Sequence, residues 1–299
     1  MRADPNYITN LARSVDLSRS ATDALTTELS SGLRVSSLQD DPVAAAQSAL
    51  MGSAISRDDT FVQTASTEAS MLQVTDSTLG EVVTQLTSAL TLAVQGNNGT
   101  LNSGNIGAIV QQLTGIRDQV LSLANTSYLG KALFGGSQGS VKPFVLDTST
   151  QPATVSYVGD TNLQYIETPS GQKIQVNLPG SAIFGTSSSG VFGALNQLIS
   201  DFSSGAPAAS LATDVSTLTS SLSQVSQQRS ILDSSLSTVK STSSYVQTEE
   251  SQLKAQQSSL VAADTVSVAT QLKSHTTQYQ ALLSVMSALQ KVNLFDYLH

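Results

Sequence analysis

At 299 residues, with 14 Lys and Arg against 22 Asp and Glu, the chain has a net charge of −8, and its cations are too few and too scattered for nucleic acid or an anionic membrane. The absence of cysteine excludes disulfide scaffolds, cysteine metal sites and thiol chemistry. Only 12% of residues are charged, yet the apolar residues, within a hydrophobic share of 39%, recur with a regular period, so the chain is expected to fold. No cofactor is implied.

The first residues, Met1-Arg2-Ala3-Asp4-Pro5-Asn6-Tyr7, have neither the apolar core nor the small-residue cleavage site of a secretory signal. No stretch approaches the ~18–20 apolar residues of a membrane-spanning helix. The chain is therefore expected to be soluble, or exported by a route that needs no such signal. Ile8, Leu11, Val15, Leu25 and Leu29 fit one helical seam, which Ser18 and Thr22 interrupt. A helix of that kind needs a packing partner.

Asp41 followed by Pro42 reads as a helix start. The carboxylate can accept from an orphan backbone N–H, and proline suits the first helical position, where no donor is lost. Asp40 and Asp41 together supply too few oxygens for a divalent cation. From Met51, steps of four and three alternately meet Ile55, Asp58, Val62, Ala65, Ala69, Leu72, Asp76, Leu79, Val83, Leu86, Leu90 and Ala93. A helix from Pro42 to Val94 would be ~80 Å long and would need a partner along its length. Asp58 and Asp76 alone break the apolar row. Either they fix the register of the pairing, as polar seam residues can, or they point to solvent where the seam widens.

Gly96-Asn97-Asn98-Gly99 ends this helix. Ile109, Leu113, Ile116, Val120 and Leu123 then predict a shorter helix running back against it. Gly135-Gly136-Ser137-Gln138-Gly139 matches the G-x-S-x-G elbow of serine hydrolases, but that elbow needs a strand before it and a helix after it. Here the order is reversed, and a flexible glycine hinge is the expectation. Between about 140 and 192, Val155–Val158, Tyr165–Thr168 and Ile174–Asn177 are short β-type runs divided by Gly159-Asp160, Ser170-Gly171 and Pro179-Gly180.

In the last third, Leu211, Leu218, Val225, Leu232, Val239, Val246, Leu253 and Leu260 recur every seven residues, and Val215, Leu222 and Leu236 add a second row. The register then slips through Asp264 to Val268 by two steps of four, predicting a stutter in a helix that no proline after Pro207 interrupts. The row resumes as Val268, Leu272, His275, Tyr279, Leu282, Met286 and Leu289. His275 and His299 are the only histidines, and no zinc-type ligand set exists.

The fold class is mainly α with a small β insert. Both chain ends form a long antiparallel helical bundle or coiled-coil rod, and the insert forms a β-rich tip. The domains expected are terminal helices at 1–41 and 265–299, a helical core at 42–139 and 193–264, and the β insert at 140–192. The seams at 51–93 and 211–260 are internal. Those nearer the termini are expected to pack between subunits, through Ile8, Leu11, Val15, Leu272, Tyr279, Leu282, Met286, Leu289, Leu294, Phe295, Tyr297 and Leu298.

Several motifs occur together and in order. They are Leu29-Ser30-Ser31-Gly32-Leu33-Arg34-Val35 with Asp40-Asp41-Pro42, then Leu92–Leu101, Leu123–Gly130 and Leu133-Phe134-Gly135-Gly136. Lys142-Pro143-Phe144, Tyr157-Val158-Gly159-Asp160, Val176–Gly180 and a terminal Asp296-Tyr297-Leu298 complete the set. This series, with Arg34, Asp40, Asp41 and Pro42 as its signature, resembles the bacterial flagellin superfamily over essentially the whole chain. The Asp-Asp-Pro form is closer to the superfamily's hook–filament junction members than to flagellins. The resemblance implies a structural protein and not an enzyme: an adaptor between the flagellar hook, through the first hook-associated protein, and the flagellin filament. The alternative is a flagellin-type filament subunit. It also implies self-assembly into a ring, an extracellular place in the flagellum and export through the flagellar type III system without a cleaved signal peptide. Terminal segments that are disordered before assembly and form the inner tube afterwards belong to the same expectation, as does an export chaperone at the C-terminal helix.

Overall fold

The computed structural model describes residues 5–97, 102–186 and 188–295. Seven helices carry most of these residues: α1 (Pro5–Ser31), α2 (Pro42–Gly96), α3 (Ser103–Ala124), α4 (Gly180–Phe184), α5 (Gly190–Ser204), α6 (Ala208–Val261) and α7 (Thr265–Phe295). The long helices of a chain so rich in Ser and Thr are held by apolar rows that pack along them, and the hydroxyls are accommodated by turning back onto their own helix. Thr75 and Thr78 on α2, Thr114 on α3 and Ser221 on α6 each donate to the carbonyl four residues earlier, at 2.8–3.0 Å. Three of these hydroxyl residues, Thr75, Thr78 and Ser221, are buried, so the back-bond removes a desolvation cost that would otherwise oppose packing. The chain divides into two compact units, Arg57–Thr248 and Met1–Ser56 with Glu249–His299.

In the unit Arg57–Thr248, Ala65, Leu72, Leu79, Leu86 and Ala93 form a fully buried row along α2. The companion row expected at Val62, Ala69, Asp76, Val83 and Leu90 is half-buried, whereas Phe61, Val82 and Ala89, one residue earlier, are buried. The cause is a partner on each flank. Asp76 of α2 faces Arg229 of α6, and Ala65–Ser70 lie across from Val239–Ser244, so α6 runs antiparallel on one side. On the other side Leu92 lies by Ile116 and Val74 by Leu123, so α3 runs antiparallel as well. Two neighbours bury three rows where a two-stranded coiled coil would bury two. On α6 the sevenfold row Leu211, Leu218, Val225, Leu232, Val239 and Val246 is buried. On α3, Ile109, Leu113, Ile116 and Val120 are buried. Each such Leu, Ile or Val contributes about 1.5–3 kcal/mol through removal from water.

The β region consists of three separate antiparallel pairs: β1 (Ser127–Tyr128) with β2 (Lys131–Ala132), β3 (Phe144–Asp147) with β4 (Thr154–Tyr157), and β5 (Tyr165–Glu167) with β6 (Lys173–Gln175). A single hairpin is marginal in water and needs something to pack on. Here Phe144 of β3 meets Tyr157 of β4, Phe184 of α4 and Phe192 of α5 at ring separations of 5.0–5.3 Å, and Phe134 meets Phe184 edge to face at 5.2 Å. Asn125, just after α3, pairs with the backbone of Phe144 in both directions at 2.9 Å, which ties the second hairpin to the end of the helix. Helix α5 presents Val191, Leu195, Leu198 and Phe202 on one buried face against α3.

In the other unit, α1 packs against α7. The end of α1 lies beside the start of α7, where Leu33 and Ala262 form an antiparallel bridge, so the two helices run in opposite directions. The expected stutter in a continuous C-terminal helix does not occur. The helix ends at Val261, and a new one begins at Thr265. No proline or glycine causes the break. It is set by residues far away in sequence, as the next section details.

Candidate functional site

The paired chain ends and the connections leading to them hold most of the residues singled out by sequence. Gly32, at φ +70°, ends α1 in the left-handed conformation that glycine adopts without cost, and its N–H donates to Glu28 at 2.9 Å. The chain then runs along the end of α6. Arg34 N–H donates to the Val261 carbonyl at 2.8 Å, its guanidinium donates to the Leu260 carbonyl at 3.0 Å, and Ala263 N–H donates to the Gly32 carbonyl at 2.9 Å. Carbonyls at a helix end have no partner within the helix, and residues 32–35 supply donors for two of them. Arg34 also lies 3.8 Å from Asp41, an exposed pair worth at most about 1 kcal/mol.

Asp40 accepts from Ser36 N–H at 2.9 Å and Ser37 N–H at 2.8 Å, and these bonds, led by the one from Ser36, hold its carboxyl below the ordinary range. Asp41 accepts from Val43 and Ala44 N–H at 3.1 and 3.0 Å, with Pro42 as the first residue of α2. Asp264 does the same for α7, accepting from Val266 and Ser267 N–H at 3.1 and 3.2 Å. Three aspartates therefore set the geometry of this crossing, and none is placed to hold a metal. Among the described residues, no group of three or more His, Asp or Glu side chains is placed to bind a metal ion.

Along α1, the row Leu11, Val15, Ser18, Thr22, Leu25 and Leu29 is half-buried. Along α7, Val268 is buried and Leu272, His275, Tyr279, Leu282 and Met286 are half-buried. Ile8, Leu289, Leu294, Phe295, Tyr297 and Leu298 lie outside the residues whose side chains are described. Two helices cannot cover each other fully, and this unit leaves large apolar side chains in water. Leu17 is exposed on α1 and Val266, at 76%, on α7, while Val43 and Leu50, the latter at 73%, stand seven residues apart on one face of α2.

The remaining candidates have structural roles. Ser137, in the G-x-S-x-G run, follows α3 and two short strands; its hydroxyl and N–H both donate to the Asp160 carboxylate, which closes the loop. Those bonds, that of the hydroxyl first, keep the Asp160 carboxyl below the ordinary range. Asp58 is only 4% exposed and does not point to solvent. Asp76 accepts from Arg229 through both oxygens, at 2.5 and 3.2 Å, and that hydrogen bonding lowers its pKa. Arg229 escaped the sequence reading, although an aspartate interrupting an apolar row calls for a cation opposite. Arg117 is buried on α3, with its guanidinium bound to Asp118 and to the Ala153 carbonyl, so the neighbouring groove between α3 and α5 offers a ligand no free charge. Asp214, 6% exposed on α6, lies against Asp201 of α5. Burial and then the Asp201 charge push its carboxyl up to about 6.

Comparison with known proteins bears on these ends directly. The family described as bacterial flagellin N-terminal helical region matches residues 6–139, and the bacterial flagellin C-terminal helical region matches residues 215–298. The chain is similar to flagellar hook-associated protein 3 of Salmonella typhimurium, 28% identical over 52% of this chain and 48% of that protein. It is also similar to flagellar hook-associated protein 3 of Escherichia coli K12, 30% identical over 39% of this chain and 37% of that protein. The matches thus span half the length or less of these curated relatives. In fold, the chain is similar to the flagellar junction protein FlgL from Legionella pneumophila, with a TM-score of 0.59 and 15% identity over 72% of this chain and 99% of that one.

Proposed function

Because the chain belongs to the bacterial flagellin family, matched at its N-terminal and C-terminal helical regions in that order, we propose that it is a structural adaptor joining the flagellar hook to the flagellin filament. One observation carries the choice of junction over filament: the curated relatives it matches are both named flagellar hook-associated protein 3. The paired chain ends support an assembly role, since α1 and α7 meet along half-buried apolar rows and leave Leu17 and Val266 in water. In this reading the helices of 1–41 and 265–299 stack between subunits to form a ring and an inner tube, ordering as they assemble. Leu11, Val15, Leu272, Tyr279, Leu282 and Met286 supply part of the contact. The core of 42–139 and 193–264 and the insert of 140–192 form the outer parts.

The partners are the first hook-associated protein on the hook side and flagellin on the filament side, with an export chaperone holding the C-terminal helix beforehand. The chain reaches the outside of the cell through the flagellar type III channel, keeping its N-terminus. The function rests on packing and requires no reactive side chain.

The test is electron microscopy of cells lacking the gene, with the medium assayed for flagellin. Hooks without filaments, together with flagellin lost to the medium, are expected. Hooks without filaments and no secreted flagellin would make the chain the filament subunit instead, and normal flagella would overturn both readings.

A further inference from the structure

We propose that the break between α6 and α7 is a latched joint: residues 32–35 hold it open, and when they withdraw, residues 249–295 join into one continuous helix through 262–264.

The local sequence does not require a break. Val261-Ala262-Ala263-Asp264-Thr265 contains no proline and no glycine, and alanine is the best helix former. The apolar row passes through it with two steps of four, a spacing that a single helix accommodates by a local change of supercoil.

What interrupts the helix is competition for the same acceptors. In a continuous helix the Leu260 and Val261 carbonyls would accept from the N–H groups of residues 264 and 265, four positions on. In the structure those carbonyls accept from the guanidinium and the N–H of Arg34. Ala263 N–H, which would turn to residue 259, donates to the Gly32 carbonyl instead. Downstream, the N–H groups of Val266 and Ser267 are taken by the Asp264 side chain. The hydrogen bonds of the broken form thus occupy donors and acceptors that a continuous helix would use, with Val35 N–H adding a second, longer one to the Val261 carbonyl at 3.4 Å; such an exchange is the condition under which two arrangements of a segment lie close in free energy. Arg34 is the positioning residue, because it alone meets both carbonyls.

The joint can be read directly in the full chain labelled with 13C-alanine. In the parent, the Ala263 Cα shift is expected outside the helical range. In Arg34→Ala, which removes the guanidinium, it moves toward the helical value. In Arg34→Pro, which removes the N–H donor as well, it moves further. Adding Thr265→Pro, which the first position of α7 tolerates and a continuous helix does not, returns it to the parent value. If Ala263 stays non-helical in both Arg34 variants, or if α7 loses its own helical shifts when Arg34 is changed, residues 32–35 hold α7 in place and the joint has no second state.

Discussion

Leu79→Ala cuts four heavy atoms down to one at the centre of the α2 row. Leu79 is fully buried between the two flanking helices, with Leu72 and Leu86 a heptad away on either side. Neighbours fixed by α3 on one side and α6 on the other cannot close readily over the space, so the loss includes both the transfer term and a cavity. For a leucine in such a site the cost is about 2–5 kcal/mol, and a value near 3 is expected. In a unit of this size each kcal/mol lowers Tm by roughly 2–4 °C, so the unit Arg57–Thr248 should melt about 6–12 °C earlier. Circular dichroism at 222 nm during heating and during urea titration gives both quantities. The urea slope should not change, since the same surface is exposed on unfolding. A loss below about 1 kcal/mol would mean that α2 does not have partners on both flanks in solution, and the three-row packing would be wrong.

Two further outcomes are expected. Asp41→Ala removes the cap of α2 and should cost about 0.5–2 kcal/mol by urea denaturation, with Asp41→Asn recovering most of it, because the amide oxygen still accepts from the first-turn N–H groups. Asp214→Asn tests the carboxyl pair. Its folded pKa, about 6, lies above the ordinary 3.8, so this group's contribution to stability is full below about pH 4 and is lost as pH rises through 6. The variant should therefore be more stable than the parent at pH 7.5, and the difference should shrink toward pH 4. An equal difference at both pH values would mean that Asp214 does not titrate in this range.

Where structure follows from a local period or a local cap, it was legible in the sequence. The sevenfold row of α6, the row of α3 and the start of α2 at Asp41-Pro42 all lie where the spacing and capping chemistry put them. The second buried row on α2 was displaced by one residue, because a heptad count presumes one partner and α2 has two. The end of α6 was not legible. Nothing between Val261 and Thr265 signals it, and the donors that impose it come from residues 32–35, some 230 positions away. Arg229 was missed for a similar reason, since an aspartate in an apolar row announces a partner without saying which cation supplies it. The face Val191, Leu195, Leu198 and Phe202 did carry a helical period, and α5 was open to being read from it. The β runs at 155–158, 165–168 and 174–177 were recognisable as strands. Their separation into three independent pairs was not, because the partner of 155–158 is Phe144–Asp147, which the Phe144, Phe184 and Phe192 cluster anchors and no strand pattern announced.

The pairing of α1 with α7 also fixes an order of events. Helix α1 is made before the other described helices, and its partner is the last of them, with the whole of 57–248 between the two. The contiguous segment can reach its fold as soon as it is present, from contacts made within itself. The other unit must wait with an apolar row uncovered until its second half arrives, then close a loop that spans most of the protein. Contacts of such high sequence separation form slowly, because the entropy of closing the loop is lost before any contact rewards it. The ends of this chain are therefore the last part of it to fold and the part in which a second protein has the longest opportunity to intervene.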